Sequence, residues 1–268
     1  AITVKDYRVA IENYLSTWLK KPMVEITKDM VERVHRDIGK RSKARANNTM
    51  RVLRALFNHA MSKYEDVKGN PIILINPVDR LSQTRAWYKI ERRQTLIKPH
   101  QLQAWYQATL ELNRETTRDL LHLLLFTGLR RSEGSRLAWD MVDFDERSIT
   151  IPDTKNHQMH ILPLSDFLYD LLKRREDDKS SPFVFPSDSD TGYLKEPKTA
   201  VKRVSKLSGV TFTLHDLRRS FITIAESLDI PAYALKRLLN HKDLNDVTAG
   251  YIVPDINRLR KPMQQISE

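Results

Sequence analysis

The chain has no cysteine, which excludes disulfides, thiolate metal sites and thiol nucleophiles and fits a cytosolic protein. No apolar run approaches the ~18 residues that a membrane-spanning helix needs. No charged-then-apolar signal segment opens it, and no internal repeat or low-complexity tract interrupts it. An initiator methionine is also missing: the sequence begins at Ala1, directly at a helix-like pattern, and we expect a fragment of a longer protein. What is present is charge. Of 268 residues, 29% are charged and 40% hydrophobic, the balance of a soluble globular protein with room for one large or two ordinary domains. The 45 Lys and Arg against 34 Asp and Glu leave a formal net charge of +11, which favours a polyanionic partner. Nucleic acid and anionic membrane both answer to that sign. The basic residues are spread along the chain instead of lining one amphipathic helix, which disfavours the membrane.

Apolar periodicity divides the chain. Residues 1–85 read as a helical domain. Val4, Tyr7, Ile11, Tyr14, Leu15 and Trp18 give the stretch from Ile2 to Leu19 an amphipathic pattern. Thr27 or Asp29 starts a second helix with Met30, Val31, Val34 and Ile38 on one side, and Asn47 or Asn48 is a plausible N-cap for a third. On that third helix Met50, Leu53, Phe57, Ala60 and Met61 form the apolar face. Lys40, Arg41, Lys43 and Arg45 fall between the two helices, and Arg51 and Arg54 follow on the polar side of the third. Such a basic run is either a solvated face or a clamp on DNA phosphates. Residues 86–96, rich in charge, read as a linker in which Trp87 and Tyr88 pack locally.

Residues 97–268 mix periodicities. A helix opens near Pro99, and a mostly apolar one from Asp119 to Phe126 ends at a Gly128 C-cap. A short helix follows over Ser132–Ala138. Ile149–Ile151 and His160–Leu162 flank a polar loop holding Lys155, which predicts an antiparallel hairpin, and Phe183–Phe185 could add a strand. Helices return over Pro197–Leu207, His215–Leu228 and Pro231–Asn240, with a helical tail at the end. The fold expected is mainly α, an α+β arrangement with one small antiparallel sheet in the second domain.

Two histidines, two arginines and a tyrosine are the residues that could break a phosphodiester without a metal or a cofactor. The reaction needs an in-line nucleophile, cationic donors for the non-bridging oxygens, and an acid for the leaving oxygen. Arg130 sits just past the Gly128 stop, with Glu133 one turn on to orient it or cap the helix. His215 and Arg218, at i and i+3, share one face near a helix start, where first-turn amides favour phosphate. His241 follows Leu238-Leu239, and Tyr251 comes ten residues later. Each has a plainer reading: surface cations, a capping histidine, a half-buried packing tyrosine.

Taken together, Thr127-Gly-Leu-Arg130-Arg-Ser-Glu133, Lys155, His215-Asp-Leu-Arg218-Arg-Ser-Phe, Leu238-Leu-Asn-His241 and Val247-Thr-Ala-Gly-Tyr251 resemble the tyrosine recombinases, the phage-integrase family. The match covers about Leu96 to Ile252. It implies that Arg130 and Arg218 clamp the scissile phosphate, with His215 and His241 hydrogen-bonding to it. Lys155 would protonate the leaving 5′-oxygen; His157, Lys198 and Lys202 are its nearest rivals. Tyr251 would form a 3′-phosphotyrosine. The resemblance further implies a core-binding domain in residues 1–85 that closes a C-shaped clamp around double-stranded DNA with the catalytic domain. It also implies a homotetramer on paired attachment sites, a Holliday junction, accessory bending or directionality proteins, and a place in the bacterial nucleoid or an infected host's cytoplasm. The amphipathic tail (Ile256, Leu259, Met263, Ile266) either docks on a neighbouring protomer or packs on its own domain. Two departures stand out: Asn240 where the family commonly has glycine, and Gly134 where it usually has a larger residue. The family's N-terminal arm-binding domain is not visible, which again points to a truncated chain. A type IB topoisomerase uses the same chemistry on one duplex, and a DNA-binding regulator that has lost catalysis is the alternative from another class.

Overall fold

The computed structural model describes residues 2–91, 93–154, 158–240 and 255–268. It divides into two compact units, residues 1–93 and 94–268, each with its own apolar core. No helix among the described residues is long and apolar enough to cross a membrane.

The first unit is helical. Helix α1 (Ile2–Tyr14) stops short of the expected Leu19 and continues as a 3-10 turn over Ser16–Trp18. Val4 is exposed, whereas Ala10 and Leu15 are buried. Helix α2 (Lys28–Arg41) starts as its sequence predicts, with the Thr27 side chain accepting from the Met30 amide. Helix α3 (Lys43–Lys63) starts earlier than predicted, because Ser42 and not Asn47 or Asn48 is its N-cap. Asn47 is buried instead and has a different task. Its Nδ2 donates to the Tyr88 carbonyl at 2.8 Å, its Oδ1 accepts the Tyr88 amide at 3.2 Å, and His35 Nε2 lies 3.0 Å from the same oxygen. One asparagine therefore satisfies both backbone groups of Tyr88, and the ring of that residue stacks on His35 with centroids 4.6 Å apart. Gly39 makes room for this strap, since a Cβ there would lie 2.2 Å from the tyrosine hydroxyl. Trp87 and Tyr88, the front of the stretch read as a linker, thus pack on this unit. Helix α4 (Arg80–Gln83) closes it.

The second unit is built around α6 (Glu115–Thr127), whose Leu120, Leu121, Leu123, Leu124 and Leu125 are all buried. Helix α5 (Pro99–Leu110) precedes it, and the short α7 (Arg131–Ser135) follows, one residue earlier at its start than the sequence indicated. The predicted hairpin is β2 (Ser148–Ile151) with β3 (His160–Pro163), in antiparallel register with Ile149 opposite Leu162 and Ile151 opposite His160. A two-residue β1 (Val142–Asp143) completes the sheet in the order β1-β2-β3. Phe183–Phe185 does not join it; Phe183 makes only an isolated bridge to Ala138.

Helix α8 (Asp166–Asp177) has no counterpart in the sequence reading, although Ser165 caps it and Leu168, Leu171 and Leu172 are buried. Buried Asp119 ties α6 to it through Arg174 (3.3 Å) and Arg175 (3.2 Å), with Arg118 at 3.0 Å on the same carboxylate. Helices α9 (Lys198–Ser208), α10 (Leu214–Ser227), α11 (Ala232–Leu238) and α12 (Asn257–Ser267) complete the unit. The described part of the tail packs on its own domain. Leu259, Met263 and Ile266 enter the core, Arg260 donates to the Glu146 carbonyl, and Gln264 accepts the Asp166 amide.

Candidate active site

The site is built on the turn that ends α6. Gly128 enters the left-handed region at φ 63°, and a Cβ on it would lie 2.6 Å from the Phe221 ring. Glycine is required there by backbone and by space alike. The Thr127 hydroxyl donates to the Leu123 carbonyl and accepts the Leu129 amide at 3.2 Å, fixing the turn.

That turn presents the Gly128 carbonyl to Arg218. One guanidinium nitrogen donates to it, and the other donates to the Leu239 carbonyl at 2.7 Å. Arg218 is only 5% exposed, and no carboxylate among the described residues lies within ion-pair distance of it. Burial, and after it the nearby charge of Arg130, pull its pKa down to about 10, with Glu133 opposing. It stays cationic at neutral pH, a buried charge oriented by dipoles and, among the described residues, not paired with an anion.

Arg130 comes from the other side of the turn, as the residue preceding α7. Glu133 accepts from its backbone N–H with one oxygen and from its guanidinium with the other, both at 2.9 Å. A single carboxylate therefore caps the helix and aims the arginine. Gly134 suits this close packing of α7 on α6: a Cβ would lie 2.7 Å from the tip of the Leu124 side chain, which would have to shift.

His215 occupies the first turn of α10 but does not cap it. The cap is Thr213, whose amide and hydroxyl both donate to Asp216 at 2.8 Å. The other oxygen of Asp216 accepts from Thr95 at 3.0 Å and Arg219 at 2.7 Å, and Ser220 accepts the Ile97 amide at 2.8 Å. The helix N-terminus is thus bolted to the strand-like stretch before α5, leaving the His215 ring exposed. Partial loss of hydration, then Arg219 and Arg218, lower its pKa against the pull of Asp216, so it is neutral at neutral pH. Two guanidiniums and a neutral imidazole share one electrostatic neighbourhood at a helix N-terminus. Such a set can receive a tetrahedral oxyanion and offer N–H donors to its oxygens.

Asp216 and Ser220 were not singled out in the sequence, although Thr213-x-x-Asp216 is a capping-box spacing that points to the first. His160 was read only as a strand residue. It is buried, its Nε2 lies 3.2 Å from the Arg237 carbonyl, and its Nδ1 has no hydrogen-bond partner among the described residues. Burial lowers its pKa to about 4, and it feels Glu133, Arg218 and Arg130. Lys155, His157, His241 and Tyr251 lie outside the described residues. Of the other residues considered for the lysine's role, Lys198 pairs with Glu196 at 3.4 Å, and Lys202 borders a small pocket with Phe212 and Thr213. No group of three potential metal ligands occurs among the described residues.

In the first unit Lys40 and Arg41 end α2, and Lys43 and Arg45 begin α3, all four exposed. Lys40 pairs with Asp37 at 2.7 Å. Arg51 and Arg54 lie 5.9 and 5.2 Å from the Trp87 ring, and Lys43 lies 6.0 Å from that of Tyr88. The aromatic strap thus backs part of the basic face.

The chain belongs to the phage integrase family, whose model matches residues 95–257. It is similar to the prophage integrase IntF of Escherichia coli K12, 27% identical over 260 residues, covering 94% of this chain and 55% of that one. The chain spans about half the length of curated relatives such as this. Its fold is that of the Tn1549 transposon integrase solved with a circular intermediate DNA (TM-score 0.69, 16% identity, 97% of this chain and 93% of that one). It is also that of a lambda integrase tetramer bound to a Holliday junction (TM-score 0.70, 21% identity, 91% and 72%).

Two buried histidines make stability pH-dependent. His122 is packed among Trp105, Tyr106 and Phe167 with Thr109 2.7 Å from its Nε2, and burial brings its pKa to about 4, as for His160. Both folded values lie below the unfolded 6.5. Between these limits the unfolded chain binds more protons, so stability is full at neutral pH and falls as pH drops. The loss is on the order of 3 kcal/mol for each histidine by about pH 4. Urea midpoints measured across that window should fall steadily; a flat profile would show that these rings are not buried in their neutral form.

Proposed function

We propose that this chain carries the DNA-binding and strand-transfer parts of a site-specific recombinase. The hydroxyl of Tyr251 gives up its proton to water as its oxygen attacks the scissile phosphorus, the P–O5′ bond breaks, and the 5′-oxygen leaves with a proton from Lys155. Arg130 and Arg218 hold the non-bridging oxygens, and His215 and His241 donate to them. The resulting 3′-phosphotyrosine keeps the bond energy, so a 5′-hydroxyl from a second duplex can displace it and build a Holliday junction. No cofactor is needed. The observation that carries this reading is Arg218: a buried cation seated on two carbonyls, beside Arg130 and without a carboxylate partner among the described residues. A phosphate supplies the missing anion.

Lys40, Arg41, Lys43, Arg45, Arg51 and Arg54 meet phosphates of the duplex, and four copies assemble on two DNA sites. The Holliday-junction tetramer of the lambda integrase supports that assembly. Accessory bending or directionality proteins act with it, and exchange of the tail between protomers would require α12 to leave the cis packing described above. The reaction takes place wherever the bacterial or phage DNA resides, in the host cytoplasm.

Nicked duplexes tiled across DNA flanking the gene, incubated with protein in EDTA, test the proposal. A protease-sensitive protein–DNA adduct at one position is expected. Salt-sensitive binding with no adduct on any duplex would sink the strand-transfer reading and leave a DNA-binding protein.

A further inference from the structure

The hairpin loop and the end of α11 are joined by two hydrogen bonds that the chemistry above does not use. The amide Nδ2 of Asn240 donates to the Thr154 hydroxyl at 3.0 Å, and that hydroxyl donates onward to the Gln158 carbonyl at 2.9 Å. The Thr154 oxygen therefore works in both directions, closing its own loop and accepting from the helix end. Three residues before Asn240, the Arg237 carbonyl accepts from His160 Nε2 at 3.2 Å. A carbonyl only accepts, so Nε2 carries the ring proton and the buried Nδ1 does not. Thr154 and His160 are 3% and 5% exposed, so both links are shielded from water.

Asn240 stands at φ 49°, a conformation that glycine adopts freely and asparagine tolerates. Glycine could make the turn but not the bond. The asparagine at this position has a local physical reason: its amide reaches the hairpin. In sequence, Thr154 immediately precedes Lys155, and Asn240 immediately precedes His241.

We infer that Thr154, Asn240 and His160 form a latch of positioning residues. The latch fixes the loop that delivers the leaving-group proton to the helix end that precedes the second phosphate-binding histidine. This rests on the assignment of Lys155 and His241 made above. The latch holds donor and phosphate ligand in one frame, and its loss slows expulsion of the 5′-oxygen more than it weakens binding of the phosphate.

A substrate with a bridging 5′-sulfur separates these effects, because a thiolate leaves without being protonated. Thr154→Val removes the hydroxyl at constant shape, and Asn240→Gly keeps the backbone conformation while deleting the amide. Each should slow adduct formation on the ordinary substrate by about tenfold. Each should run near the wild-type rate on the sulfur substrate. The double variant should be no slower than Thr154→Val alone, since that change already deletes the Asn240 bond along with the one to Gln158, and Thr154→Ser should recover the wild-type rate. Equal slowing on both substrates, or additive losses in the double variant, would overturn the latch, as would wild-type rates in all variants. Failure of the wild-type protein to form an adduct would instead remove the strand-transfer reading. Thermal melting of each variant identifies any that do not fold, and Thr154→Ser keeps the test open in that case.

Discussion

Arg218→Ala is expected to slow adduct formation by two to three powers of ten, the range of about 2.7–4 kcal/mol for loss of one charge-stabilising donor. The effect should be large because of where the side chain sits. Its guanidinium is already desolvated and already aimed by the Gly128 and Leu239 carbonyls, so it stabilises developing charge with little rearrangement. Arg218→Lys should recover only a part. An ammonium keeps the charge but lacks the planar fork that holds two carbonyls and still faces an anion. The alanine variant also leaves two carbonyls short of a donor, which costs about 1–3 kcal/mol of stability if water does not replace it. Melting curves recorded alongside the rates separate the two losses. A folded Arg218→Ala protein that forms adduct at the wild-type rate would place the arginine outside the chemistry.

Tyr251→Phe should remove the adduct altogether, because phenylalanine has no atom to attack phosphorus, while DNA affinity stays within a few-fold of wild type. Affinity of this kind rests mainly on phosphate neutralisation by lysine and arginine and should fall steeply with added salt in both proteins. Gel-shift titrations at several salt concentrations, paired with the EDTA adduct assay, read both quantities. If binding and adduct formation fall together, Tyr251 is a packing residue. If phenylalanine still permits an adduct, a different nucleophile operates.

Both halves of the mainly helical fold and the hairpin could be read from periodicity, because α6, α10 and the β2–β3 pair bury clean apolar faces between recognisable caps. Gly128 as the end of α6 could also be read, since a lone glycine after an apolar run has few other uses. Helix α8 carries ordinary signals, a Ser165 cap and leucines at helical spacing, yet no element is assigned there from the sequence. Asn47 misled for a physical reason. Asparagine caps helices and also satisfies buried backbone, and only tertiary contact with Tyr88 decides which. The seat of Arg218 could not be read at all, because its two carbonyls lie 90 and 21 residues away in sequence. Sequence spacing named the candidate arginines and, in Thr213-x-x-Asp216, the capping box of α10, but it carried no trace of the bonds from Thr95 and Ile97 by which Asp216 and Ser220 anchor that helix.

The turn at Gly128 also constrains how such a protein can change over generations. One backbone carbonyl ends a core helix and seats a buried cation, and the Cβ that any other residue would add collides with a core phenylalanine. A substitution there cannot trade a little stability for a new preference, because fold and chemistry fail together. Lys40, Arg41 and Arg45 are exposed at the helix ends of the other unit and support none of its core. Under the proposed function, a change there alters contacts with DNA and leaves the fold of that unit intact. Retargeting such a protein to a new DNA sequence, in nature or by directed evolution, should therefore accumulate changes in residues 1–93 and leave the turn untouched.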